Sequence, residues 1–192
     1  MGAKPRSRPG GRSARVQESV HRAVRELEAE RGRAELTVPL IAARAEVTPS
    51  TIYRRWGDLQ VLLSDVAVER LRPEGPPADH GNLAADLETW AVEWLEEMSS
   101  AAGRAYLHDA VAGDREGGNA GQCSAYAAEQ VAVLLDRAAG RGEPAPDVET
   151  VLDHLVAPLM YRILFRPGLL DADYARGLAR RLLAGGTTGL AE

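Results

Sequence analysis

Residues 37–63 read TVPLIAARAEVTPSTIYRRWGDLQVLL, and the architecture of the chain turns on them. They spell two short helices joined by a tight break, then the start of a third. Thr37 is a good N-cap, and Leu40, Ile41 and Ala45 form a short apolar stripe behind it. Ala45-Glu46-Val47 makes the turn. Thr48 then caps a second helix whose first residue is Pro49, where a missing N–H costs nothing. Ile52 and Trp56, four apart, face inward and leave Ser50, Thr51, Tyr53, Arg54 and Arg55 on the other faces. Gly57 ends that helix and Asp58 caps the next. A short helix showing small hydroxyls, a Tyr and two Arg is built to meet a DNA duplex. Hydroxyl and N-terminal N–H groups take phosphate oxygens, and Arg can fork onto guanine.

Helices flank this stretch on both sides. Upstream, Val16, Val20, Val24 and Leu27 recur at helical spacing between Ala14 and about Glu30, and Arg31-Gly32 ends the run. His21 stands one residue off that stripe, the place of a surface or boundary histidine. Downstream, Leu59, Leu62, Leu63, Val66, Ala67 and Leu71 carry a fourth helix from Asp58 to Arg72. The segment 72–81, RPEGPPADHG, holds three Pro and two Gly and is the clearest boundary in the chain.

The net charge of −5 at first argues against a nucleic-acid partner, but its distribution reverses the argument. Residues 1–70 hold 13 Lys or Arg and 9 Asp or Glu, a net of +4; the remaining 10 basic and 19 acidic residues give −9. Lys4, Arg6, Arg8, Arg12 and Arg15 open the chain with no acid among them. A basic front on an acidic body suits a protein that docks DNA at one end. Residues 1–12, rich in Gly, Pro, Ser and Arg, are expected to be a disordered basic arm, either reaching phosphates or simply solvated. No apolar run approaches the roughly 20 residues of a membrane span, and no apolar stretch follows the basic start as in a secretory signal. A cytoplasmic protein is expected, with no membrane partner. The lone Cys123 forms no internal disulfide, and no Cys/His cluster suggests a metal, so no cofactor is expected. His108 and Asp109 are adjacent and would point apart on a helix, and no nucleophile signature surrounds Cys123. The chain does not read as an enzyme.

Beyond residue 81 the pattern stays helical, broken by Gly and Pro. Asn82 caps a strongly amphipathic helix with Leu83, Leu87, Trp90, Trp94 and Met98 in one stripe. A shorter helix, Arg104 to Ala112, bears Tyr106, Leu107 and Val111, and Gly113 to Gly121 reads as a loop. Another runs from about Gln122 to Ala139 with Tyr126, Gln130, Val131, Leu134 and Leu135 inward. Asp147 caps a helix expected to reach about Phe165 unbroken. Its two apolar stripes, Val151-Leu155-Leu159 and Leu152-Val156-Met160-Leu164, are too wide for a helix buried on one side. A last helix, Asp171 to about Leu183, carries Tyr174, Leu178 and Leu182, with Ala175 and Ala179 letting a partner helix approach closely. The aromatic and apolar set Trp90, Trp94, Met98, Leu107, Tyr126 and Tyr161 reads either as plain core or as the wall of a pocket. Gln130, His108, Asp109, His154 and Arg162 are candidate polar anchors.

The segment from about Val16 to Leu71 resembles the N-terminal domain of the TetR/AcrR-type transcriptional regulators. The likeness rests on TVPLIAARAEVTPSTIYRRW, the capped turn after it and the apolar helix that follows. Tyr53 and Trp56 occupy the family's aromatic pair; Leu59 stands where the family usually has a Lys, which removes one phosphate contact. The resemblance implies an all-α fold: a three-helix helix-turn-helix DNA-binding head, a fourth linking helix, and a C-terminal helical bundle that dimerises. The domains would be 13–72 for the head with its linking helix and 82–186 for ligand binding and dimerisation. Ser50, Thr51, Tyr53 and Arg54, in the helix opened by Pro49, would face the major groove or its phosphates. Thr37 and Thr48 would hold backbone oxygens, with Arg44 and Arg55 as further contacts or solvated charges. The resemblance also favours the pocket reading. Leu155, Leu159, Arg162 and Ile163 of the penultimate helix would join Tyr174, Leu178 and Leu182 of the last in a homodimer interface. The implied function is transcriptional regulation, most often repression, on a palindromic operator in double-stranded DNA, relieved by a small-molecule effector. The alternatives are a dimeric DNA-binding regulator without effector, and a helical binding module or enzyme that keeps the head for assembly.

Overall fold

The structure, a computed structural model, describes residues 11–113 and 118–185, and among them every regular element is helical. The chain divides into two compact units, Met1–Val66 and Ala67–Glu192.

The first unit holds α1 (Gly11–Arg31), a short 3-10 turn (Arg33–Glu35), α2 (Val38–Arg44), α3 (Pro49–Trp56) and the greater part of α4 (Leu59–Arg70). The first ten residues of the expected basic arm lie outside the described residues. Thr37 caps α2 as expected, its hydroxyl accepting the Leu40 N–H at 3.4 Å, and Asp58 accepts the Val61 N–H at 2.9 Å to start α4. Thr48 caps α3 differently. Its carbonyl takes the Thr51 N–H at 2.9 Å, while its hydroxyl pairs with those of Ser50 and Thr51 at 2.9 and 3.0 Å. Between α2 and α3, Glu46 has φ of +56°, a left-handed conformation that a β-carbon disfavours. Gly57 takes φ of +82° to turn the chain out of α3.

The core of this unit comes from all four helices: Val20, Val24 and Leu27 of α1, Ile41 of α2, Ile52 of α3 and Leu62 of α4 are fully buried. His21 departs from expectation. It is 1% exposed, and its Nε2 lies 3.0 Å from Asp65 Oδ2. Trp56 Nε1–H and Gln17 Nε2–H donate to that same oxygen at 2.7 and 3.2 Å. The α1 face covered by its neighbours is wider than one apolar stripe, so the residue beside the stripe is covered too. Its polar edge is satisfied by a carboxylate 44 positions away.

The second unit contains α5 (Leu83–Ser99), α6 (Ala101–Ala112), α7 (Gly118–Gly140), α8 (Val148–Val151), α9 (Ala157–Phe165) and α10 (Ala172–Gly185). α5 is its axis, in contact with α6, α7, α9 and α10. Asn82 caps α5 through the Ala85 N–H at 2.9 Å. Ser100 caps α6 at the Gly103 N–H, so α6 begins three residues before the sequence pattern suggests. Gly103 is obligatory there: a β-carbon would stand 2.1 Å from the Glu97 carbonyl oxygen. α7 begins at Gly118, inside the stretch read as a loop, and residues 114–117 lie outside the described ones.

Two features correct the sequence reading. The Pro-rich stretch belongs to the second unit, and the division between units falls within α4. Prolines leave chain carbonyls without ladder partners, and α7 supplies them. Gln130 donates to the Gly75 carbonyl at 2.9 Å, and Arg137 to those of Pro77 and Ala78 at 2.8 and 3.1 Å. Arg141 reaches Asp79 at 3.3 Å and the buried Asp86 at 3.0 Å. The second correction lies in the helix expected from Asp147 to Phe165, where a π turn, Leu152–Val156, separates α8 from α9. Pro158 is the physical reason: it has no N–H, and its ring would clash with the carbonyl of residue 154 in a regular helix. The wider turn absorbs it, with the Ala157 N–H bonding back to the Leu152 carbonyl.

Candidate functional site

α3 presents the first candidate surface. Burial of Ile52 and Trp56 fixes its rotation, which leaves Thr48, Pro49, Ser50, Tyr53, Arg54 and Arg55 exposed and Thr51 half-buried. Tyr53 is 50% exposed, and neither its side chain nor that of Arg54 has a hydrogen-bond or ion-pair partner among the described residues. Thr37 is exposed at the start of α2. Six of the nine residues expected on the DNA-facing surface therefore share one end of the helix-turn-helix: Thr48, Pro49, Ser50, Thr51, Tyr53 and Arg54. Such a surface, with hydroxyls at the helix start, a phenol one turn on and an unpaired guanidinium, can take phosphate oxygens and base edges.

Arg44 and Arg55 are committed elsewhere. Arg44 forks onto Glu30 at 2.8 and 2.7 Å and reaches Glu26 at 3.2 Å, tying α2 to α1. Its hydrogen bonds hold the Glu30 carboxyl below the usual range. Arg55 donates to the Ser13 carbonyl and hydroxyl at 3.0 and 2.7 Å and to Gln17, and its guanidinium lies 5.2 Å from the Trp56 ring centre. Both arginines lie on the sides of their helices that face α1, where its polar groups meet them first. Leu59, the departure from the family pattern, packs against the head's core.

The second candidate is a cavity of about 400 Å³ inside the second unit. Of the residues expected to line a pocket, Trp94, Met98, Leu107, Tyr126 and Gln130 do so. Trp90 does not; it is buried behind Trp94 with ring centres 6.1 Å apart. Tyr161 does not either, being 57% exposed on α9. Gln130 is the one polar anchor candidate in the wall, and its amide nitrogen is already given to Gly75. The sequence reading missed Leu71 and Pro73, Glu97 on α5, Cys123 and Ser124 on α7, and a complete wall from Glu149 through Met160. The signal for that wall was the second apolar stripe, Leu152-Val156-Met160. Burial pushes the Glu97 carboxyl above its usual range, reinforced by Glu74 and opposed by Arg70. Burial likewise raises the Tyr126 phenol.

The residues expected at a dimer interface are divided. Leu155, Leu159, Ile163, Leu178 and Leu182 lie in the protomer's own core, the first two at 0% exposure. The small residues Ala175 and Ala179 admit α5 of the same chain, and Arg180 forks onto Glu88 at 2.9 and 2.7 Å across that contact. Arg162 and Tyr174 are half-buried, with the guanidinium 4.0 Å from the ring centre. What α9 exposes instead is Tyr161, Leu164 and Phe165, at 57%, 45% and 70%, with the two aromatic rings 5.4 Å apart. Among the described residues no helix is long and apolar enough to cross a membrane, and no group of three or more His, Cys, Asp or Glu could hold a metal ion.

Comparison with known proteins addresses both units. Residues 22–66 match the profile described as bacterial regulatory proteins, tetR family, and residues 77–182, over half of the chain, match the tetracyclin repressor-like C-terminal domain. A Bacillus subtilis (strain 168) protein described as an uncharacterized HTH-type transcriptional regulator, YdeS, is 26% identical over 170 residues, covering 81% of this chain and 82% of its own. The TetR family transcription regulator SCO0332 superposes with a TM-score of 0.64 at 24% identity, over 88% of this chain and 97% of that one. Thermus thermophilus FadR, a TetR family repressor in complex with lauroyl-CoA, gives a TM-score of 0.50 at 17% identity, over 92% and 95%.

Proposed function

The chain belongs to the TetR family of transcriptional regulators, and on that premise we propose that it is a homodimeric repressor released from a palindromic operator by a small molecule bound in its second unit. It is a regulator and not an enzyme. The observation that carries the DNA-binding part is the exposed face of α3, where the side chains of Tyr53 and Arg54 have no partner among the described residues, beside the hydroxyls of Thr48, Ser50 and Thr51. With Arg44 and Arg55 engaged inside the head, base and phosphate contacts fall on this smaller set and on Thr37.

The effector part is supported by the cavity of about 400 Å³, within the usual size of a small-molecule site. A body packed solid would have favoured control by concentration alone. That the FadR of the same fold holds lauroyl-CoA is consistent with an occupied body. An effector acts only through its different affinity for operator-bound and free geometries of the dimer. The dimer in this reading is built on the outward face of α9, with Tyr161, Leu164, Phe165 and the Arg162–Tyr174 pair, in place of the leucines buried in the protomer.

Footprinting on the DNA flanking the protein's own gene, across a salt series and with a panel of small molecules, tests the proposal. A protected palindrome that disappears with one compound supports it; no protection at any salt removes it. Replacing Tyr53 and Arg54 together with Ala is expected to lose at least about 1–3 kcal/mol of operator affinity and to flatten its salt dependence. Unchanged affinity would favour a head kept only for assembly.

A further inference from the structure

The chemistry of the cavity narrows what it can hold, and the inference rests on the effector reading above. Among the described residues every charged side chain lining it is acidic: Glu97 on α5, Glu149 on α8 and Asp153 in the π turn. No Lys, Arg or His is among its described lining residues. The three carboxylates sit at exposed positions, and none is ion-paired among the described residues. The charges acting near the wall are mixed: Glu74 and Arg70 bear on Glu97, and Arg72 bears on Tyr126, with Glu69 and Glu129 opposing it. Glu149 and Asp153 are four residues apart, a spacing at which like charges on a helix repel.

The rest of the wall is apolar and polarisable. Trp94 lies one turn before Glu97 on the same side of α5, Tyr126 faces the cavity from α7, and Met98 and Met160 complete it. An anion entering here would meet three carboxylates and no lining cation among the described residues. A cation gains from the carboxylates and from the ring faces together. We propose that the cavity selects a bulky apolar organic cation, an ammonium or phosphonium whose charge sits among Glu97, Glu149 and Asp153 and whose hydrocarbon groups lie against Trp94 and Tyr126. The raised Glu97 carboxyl fits this arrangement, because a bound cation would offset the burial that opposes its ionisation.

Tetraphenylphosphonium and tetraphenylborate, alike in shape and opposite in charge, provide the test when each is titrated into the full chain by calorimetry. The phosphonium is expected to bind at least about tenfold more tightly than the borate. Glu97→Gln, Glu149→Gln and Asp153→Asn combined should weaken the phosphonium by about tenfold or more and narrow the gap between the two ions. Thermal unfolding checks that this variant is folded, and Glu149→Gln alone, expected to weaken the phosphonium by about threefold, replaces it if it is not. Equal or tighter binding of the borate, no dependence on the carboxylates, or binding of neither ion overturns the inference. The effector reading is judged separately. Operator release by an anionic or neutral compound would keep that reading while the cation preference falls.

Discussion

Asp65 holds the head together at the scale of a single residue. One carboxylate oxygen accepts from His21, Trp56 and Gln17, joining α1, α3 and α4 at one point. Burial works to raise this carboxyl, but the hydrogen bonds from His21 and Trp56 outweigh it and hold it below its ordinary value. A depressed folded-state pKa means stability that is present above the unfolded value, near 3.8, and lost as pH falls through the folded one. Asp65→Asn is therefore expected to cost about 1–3 kcal/mol in urea unfolding at pH 7, with the difference shrinking below about pH 4. An equal difference at pH 3 and pH 7 would show that the charge plays no part. His21 was illegible as a buried residue because nothing within a helical turn of it announces Asp65. The caps at Thr37, Asp58, Asn82 and Asp147 were legible because donor and acceptor lie three residues apart.

At the scale of elements, α10 shows how a correct helix can be given the wrong neighbour. Its stripe of Ala175, Leu178, Ala179 and Leu182 was readable from periodicity, as was its fitness for close approach. The neighbour is α5 of the same chain. Ala179→Leu should consequently overpack the protomer and destabilise it by about 1–3 kcal/mol. That loss should not depend on protein concentration in thermal or denaturant unfolding; if it does, the small-residue stripe faces a second copy. The π turn is the other lesson at this scale. Pro158 was plainly present, but the apolar spacing around it continued without a break, so periodicity concealed the interruption. Leu152, Asp153 and Val156 of that turn line the cavity.

At the scale of the molecule, the proposed dimer rests on the outward face of α9. Tyr161, Leu164 and Phe165 are large, apolar and exposed in the protomer. A stable dimer buries roughly 1,200–2,000 Å² in total, with aromatic residues favoured at its centre. Leu164→Asp with Phe165→Asp is expected to shift the protein to a monomer in light scattering and to weaken operator binding at least about tenfold, since a single head meets only one half-site. A dimer that survives both changes would move the interface off this face. The basic head and acidic body, readable from charge alone, remain the simplest sign that one end of the protein meets DNA.

The order of helices, the helix-turn-helix and most of the caps were determined by the sequence itself, because they depend on groups within about four positions of one another. Five of the seven expected pocket residues also came from that local pattern. Tertiary structure alone decided the rest: which of two apolar stripes fills the core, which lines a cavity and which residues are left outside. It also decided that His21 would find Asp65, and that Arg137 and Arg141 would hold the Pro-rich segment about 60 residues upstream. Hydrophobic burial is non-directional. A side chain's character sets that it will be covered, and only the packed chain sets by what.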